Sequence, residues 1–116
     1  MEIRKWRRLL TPILLGPLLL GASDREAALI NQIEQNIKLP PGASSLWVYT
    51  QKYTYMNDKT VVGVYVNQTM TDDEPGSAWV DQSHMPQISG GGCGVVTIFY
   101  DPTKKTPPEA MCNPPR

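Results

Sequence analysis

Along residues 24–38 apolar side chains return every three or four positions: Ala27, Ile30, Ile33 and Ile37, with Leu29 at the margin. Arg25, Gln32, Gln35 and Asn36 fall largely on the other side. That period lays one apolar stripe along a helix, so the spacing predicts an amphipathic helix over Asp24–Lys38. Ser23-Asp24-Arg25-Glu26 has the form of a capping box, in which serine and glutamate each satisfy an amide at the helix start. Leu39-Pro40-Pro41-Gly42 ends the helix, because a residue before proline avoids helical angles and proline has no N–H to continue the ladder.

Beyond the prolines the period changes to two. Leu46–Tyr55 is rich in aromatic and β-branched residues and alternates, with Trp47, Tyr49, Tyr53 and Tyr55 on one side and Leu46, Val48, Thr50, Lys52 and Thr54 on the other. Met56-Asn57-Asp58-Lys59 is a turn by composition, and Thr60–Val66 follows as a second strand with Val62, Val64 and Val66 on one face, so the pair reads as a hairpin. Gly63 inside that run marks either a bulge or a close approach by the helix. Asn67–Ser77 is a polar loop, Ala78–Asp81 a short strand that extends weakly through Ile88, and Ser89–Gly92 a flexible link. Gly94–Tyr100 is the strongest strand pattern, Asp101-Pro102 ends it, and Thr103–Arg116 is a Pro-rich tail. One helix followed by three or four antiparallel strands is an α+β domain, with the helix across one face of a twisted sheet. Cystatin-like folds share that layout, as do many unrelated domains, and layout does not carry function.

The first 23 residues have a different character. Arg4, Lys5, Arg7 and Arg8 make a basic start, Thr11–Ala22 is a twelve-residue apolar stretch, and Gly21-Ala22-Ser23 supplies the small residues of a cleavage site. The apolar stretch is shorter than the ~20 residues needed to cross a bilayer, and Pro12 and Pro17 spoil it as a helix. The expectation is a signal peptide over 1–23, cut after Ser23 or Ala22, and one domain over 24–116. An uncleaved N-terminal anchor is the alternative.

Cys93 and Cys112 agree with export, since an even pair in an oxidising compartment reads as a disulfide that also ties down the tail. With no histidine beside them and no CxxC spacing, they match neither a zinc site nor a redox motif. Without its leader the chain holds seven basic and ten acidic residues. A mildly acidic domain without a basic stripe argues against nucleic acid as a partner. The expected home is periplasmic or secreted, with no stable membrane span after processing.

Candidate chemistry is thin. Asp81, Ser83 and His84 are the residue types of a nucleophile, base and acid, and His84 is the one histidine in the chain, but near-adjacent side chains diverge. Asp72-Asp73-Glu74 lacks the alternating ligands and glycine of a calcium loop and reads as a solvated loop tip. The glycines of Ser89–Gly94 precede a strand, and no lysine follows as a phosphate loop requires. Asn67-Gln68-Thr69 matches the N-glycosylation pattern, which matters only in a host with that machinery. The expectation is therefore no catalytic residue, no metal and no cofactor. The one candidate binding surface is an aromatic face of Trp47, Tyr49, Tyr53, Tyr55 and Tyr65, available to a glycan or peptide if the helix covers the Leu46, Val48, Val62 and Val64 side instead.

Several of these segments together carry a resemblance. The helix exit in INQIEQNIKLPPGA, the Tyr-rich strand, the G-V-Y-V strand, the late G-G-C-G-V-V and Y-D-P stretches and the second cysteine resemble a set of small uncharacterised exported bacterial proteins. The resemblance implies a bacterial envelope setting and carries no activity and no site residue. The expected function is a non-enzymatic binding module whose partner is an envelope protein or a glycan. The alternatives are a small hydrolase using Asp81, Ser83 and His84, or a cystatin-like inhibitor, which would need a glycine-flanked reactive loop that the chain does not display.

Overall fold

The structure is a computed structural model and describes residues 23–57 and 59–115. The predicted leader, apart from its last residue, lies outside the described residues.

The helix, α1, spans Asp24–Asn36. Its capping box is formed: the Ser23 hydroxyl accepts from the Glu26 N–H at 3.2 Å, and Glu26 Oε1 accepts from the Ser23 N–H at 3.0 Å. The helix stops two residues before the predicted Lys38, since Ile37 is already extended at φ −71° and ψ 138° on the approach to the prolines. Leu29, Ile30 and Ile33 form its buried stripe.

Five strands follow: β1 (Tyr49–Tyr55), β2 (Val61–Asn67), β3 (Gly76–Trp79), β4 (Val95–Tyr100) and β5 (Glu109–Cys112), in the sheet order β3-β1-β2-β4-β5. The α+β layout and the β1–β2 hairpin are as the sequence predicts, with Thr54 opposite Val62 and Tyr49 opposite Asn67. Two details differ from three or four antiparallel strands. First, β3 runs parallel to β1. β2 ends level with the start of β1, and the following loop carries the chain to the far side of β1, so the next strand sets off in the direction of β1 itself. Second, the Pro-rich tail contains β5, which pairs with β4 and places Cys112 opposite Val96. The Cys93–Cys112 disulfide closes this arrangement. The Asn113 side chain adds to it by donating to the carbonyls of Ile88 and Gly90 at 2.8 and 2.9 Å. Prolines on both sides hide a four-residue strand from any pattern based on composition.

α1 covers one face of the sheet only. Tyr49, Tyr53, Val61, Tyr65, Trp79, Val96, Ile98 and Tyr100 meet Leu29, Ile30 and Ile33 there. Gly63 lies in the middle of this face: a Cβ at that position would stand 2.9 Å from two carbons of the Tyr53 ring. The close approach is therefore made by a cross-strand tyrosine and not by the helix.

Candidate functional site

The aromatic residues predicted as a binding face are mostly core. Tyr49, Tyr53 and Tyr65 are at most 1% exposed, because α1 packs on their side of the sheet and not on the valine side. They offer no platform to a ligand. Leu46 and Trp47 also depart from the predicted alternation. Residues 46–48 form a 3-10 turn ahead of β1, which puts Leu46 against the core and leaves Trp47 79% exposed. Trp47 is thus separated from the other four.

What the tyrosines build instead is a buried polar chain. Tyr53 donates its hydroxyl to Glu34 Oε2 at 2.8 Å, and Ser77 Oγ donates to the same oxygen at 2.5 Å. Tyr65 lies 2.5 Å from the Tyr53 oxygen. Since the Tyr53 proton is directed at Glu34, the Tyr65 proton is the one between the two phenols. The rings meet edge to face at 5.9 Å. Burial raises both phenol pKa values well above the ordinary range; the neighbouring Tyr65 and the Glu34 charge raise that of Tyr53 further. The sequence does not mark Glu34 as an inward-facing group, because a glutamate on the margin of a helical stripe looks like any solvated one. The network anchors α1 to β1, β2 and β3 and satisfies its own polar atoms, as a buried hydroxyl must.

Asp81, Ser83 and His84 do lie together, but not as a relay. Ser83 Oγ is 3.4 Å from His84 Nδ1, and Asp81 Oδ2 is 3.6 Å from that same nitrogen. A catalytic histidine must use one ring nitrogen to take the proton and the other to face its acid. Here a single nitrogen faces both, and the Asp81 and His84 side chains are 82% and 72% exposed. The segment does contribute to something else. Asp81, Gln82 and His84 line one wall of an open groove of about 670 Å³, and Tyr55, Trp79 and Glu26 contribute to the rest. The Tyr55 and Trp79 rings stand edge to face with centroids 4.8 Å apart. The structure therefore brings one member of the predicted aromatic set, Tyr55, to the predicted polar cluster. Alternation along single strands could not show this, because it depends on β3 pairing with β1.

The remaining motifs resolve locally. Asp73 pairs with Lys52 at 3.1 Å, which fixes the acidic loop to β1. Among the described residues no group of three His, Cys, Asp or Glu side chains is placed to hold a metal ion. Gly90, Gly91 and Gly92 all have positive φ (75°, 93° and 56°), the conformation that favours glycine, and the N–H of Gly92 donates to the Pro114 carbonyl. This stretch shapes the approach to Cys93. The Asn67 side-chain oxygen accepts from both the Thr69 amide and hydroxyl, at 2.9 and 2.8 Å, capping the turn after β2.

The sheet face turned away from α1 presents a different surface. Val62, Val64, Thr97 and Phe99 are half-exposed there, and Met111 is 52% exposed. Val66 and Val95 are buried at one end of this face, where Met70 reaches over Gly91 and Gly94, and Thr50 and Thr54 of β1 are buried on it as well. A two-layer domain ordinarily turns polar side chains to water on its open face; here β1 turns Thr50, Lys52 and Thr54 to that side, whereas β2 and β4 turn valines, Thr97 and Phe99.

Compared with protein-family models, with curated proteins and with solved structures, the chain matches none. Functional residues therefore rest on this chain's own geometry. The disulfide is formed and fits an oxidising compartment. Among the described residues no helix is long and apolar enough to cross a membrane.

Proposed function

We propose that this chain is an exported, non-enzymatic binding domain of the bacterial envelope, which meets a partner protein through the sheet face opposite α1. The observation that carries this reading is the apolar, uncapped surface of Val62, Val64, Phe99 and Met111. Covering the part of this surface that remains exposed is favourable by ~25 cal/mol per Å² of apolar area. The leader pattern and the disulfide support export.

The test is recovery of the tagged protein from the envelope fraction of producing cells, with Val64→Lys and Thr97→Lys variants in parallel. Both positions are half-buried on this face, so each long side chain can carry its charge to solvent; Val64 stands opposite Lys52, so Val64→Lys costs more stability than Thr97→Lys. The expected result is a processed chain that retains a partner in the wild type and loses it in both variants, with thermal unfolding moved by only a few degrees. Partner retention by both variants, or a wild type that brings down none, refutes the sheet face as the binding surface. An unprocessed chain in the cytoplasm refutes export.

A further inference from the structure

The groove beside β3 lies at the other edge of the sheet from β5 and shows its own chemistry. Its aromatic wall is the Tyr55–Trp79 pair. Three acceptors surround it. Asp81 precedes a 3-10 turn but makes no capping bond with its side chain, so its carboxylate faces solvent, 3.6 Å from His84 Nδ1. Glu26 uses Oε1 for the capping box and keeps Oε2. Gln82 donates through Nε2 to the Tyr55 carbonyl at 2.6 Å, leaving its Oε1 as an acceptor. Among the described residues no lysine or arginine lines the groove; Arg25 sits in the adjoining recess beyond Tyr55 and Gln82. β3 itself is an outer strand of the sheet, with no strand beyond it, and it runs directly into the groove at Trp79.

From these features we infer that the groove receives the lysine or arginine side chain of an extended peptide laid along the outer edge of β3. The strand edge supplies backbone pairing, as in recognition by strand addition. The carboxylates supply complementary charge, and the part-exposed Tyr55 ring, backed by the buried Trp79, supplies aromatic contact for the cation's stem. An anionic segment would meet the Asp81 and Glu26 carboxylates with like charge, and a neutral one would lack the charge complement. The inference is independent of the sheet-face reading, since it uses different strands and a different surface.

The experiment is an NMR titration of the purified, disulfide-bonded protein with a blocked hexapeptide of alternating threonine and lysine. The same peptide with glutamate in place of lysine is the control, and a glucosamine oligomer is a second cationic probe. Saturable shifts are expected at the Trp79 indole N–H and at the amides of Ser77 and Ala78, and none with the glutamate peptide. Asp81→Asn, on an exposed turn where folding is indifferent to it, should weaken the affinity about threefold, the scale of one exposed ion pair. Raised salt should weaken it further. The inference is overturned by any of four results. These are no shift at millimolar peptide, equal shifts with the glutamate peptide, shifts confined to Val64 and Thr97, or a response to the glucosamine oligomer alone. Unchanged affinity in Asp81→Asn removes the assigned role of that carboxylate and with it the electrostatic argument.

Discussion

Alkaline pH should unfold this domain through two particular side chains. In the folded state Tyr53 and Tyr65 are held neutral by burial, and the charge of Glu34 disfavours their phenolates further. In the unfolded chain both titrate near the ordinary tyrosine value of about 10. Their folded pKa values are raised, so the stability they confer is fully present below pH ~10 and is lost as pH climbs toward the folded values. Once the unfolded phenols are ionised, each tyrosine lowers the unfolding free energy by ~1.4 kcal/mol per pH unit, and the pair by ~2.7. A domain of this size holds ~5–10 kcal/mol in total, so about two units above pH 10 removes enough to unfold it at the lower end of that range. Urea titrations followed by tryptophan fluorescence at pH 8, 10, 11 and 12 measure the slope. The Tyr53→Phe/Tyr65→Phe double variant isolates the two phenols from the lysines that titrate in the same range.

At pH 8 the single variants should be unequal. Tyr53→Phe removes the donor to Glu34 and also leaves the Tyr65 hydroxyl unpartnered, which costs about 2–3 kcal/mol, whereas Tyr65→Phe removes only the outer bond of the chain, costing about 1 kcal/mol. The reasoning fails if the double variant keeps the wild-type alkaline slope, or if Tyr65→Phe destabilises as much as Tyr53→Phe.

Two further outcomes follow from the packing. Replacing Cys93 and Cys112 by serine should lower the unfolding free energy by about 3 kcal/mol, the chain-entropy value for a loop of that size, and hydrogen exchange should rise first in β5; denaturant curves on oxidised and substituted protein check the first part, and equal exchange in β1 and β5 would contradict the second. Gly63→Ala should cost about 1–3 kcal/mol by overpacking, because its methyl group would meet the Tyr53 ring at 2.9 Å; combining it with Tyr53→Leu should restore part of the loss, and simple additivity of the two would show that the ring is not the obstacle.

Much of this architecture is local and therefore legible along the chain. The three- and four-residue spacing of Ile30 and Ile33 specifies a helix with one buried stripe whatever it packs against, and Ser23 and Glu26 meet within a single turn. The hairpin of β1 and β2 follows from a turn between two alternating runs. The cysteines and the prolines after α1 act through covalent and backbone constraints that need no distant partner. Which face of the sheet α1 covers is a different kind of fact. Tyr53 and Val64 alternate equally well, and the choice between them depends on what reaches across from Ile30, Ile33 and Glu34. The parallel setting of β3 depends on pairing with β1 more than a dozen residues back in the chain, and β5 exists only through its pairing with β4 across the Pro-rich turn. The groove inherits that dependence, since Tyr55 and Trp79 come together only once β3 lies beside β1. Periodicity assigns each side chain to a face of its own element; only the packing of elements against one another decides which faces meet and which are left to water.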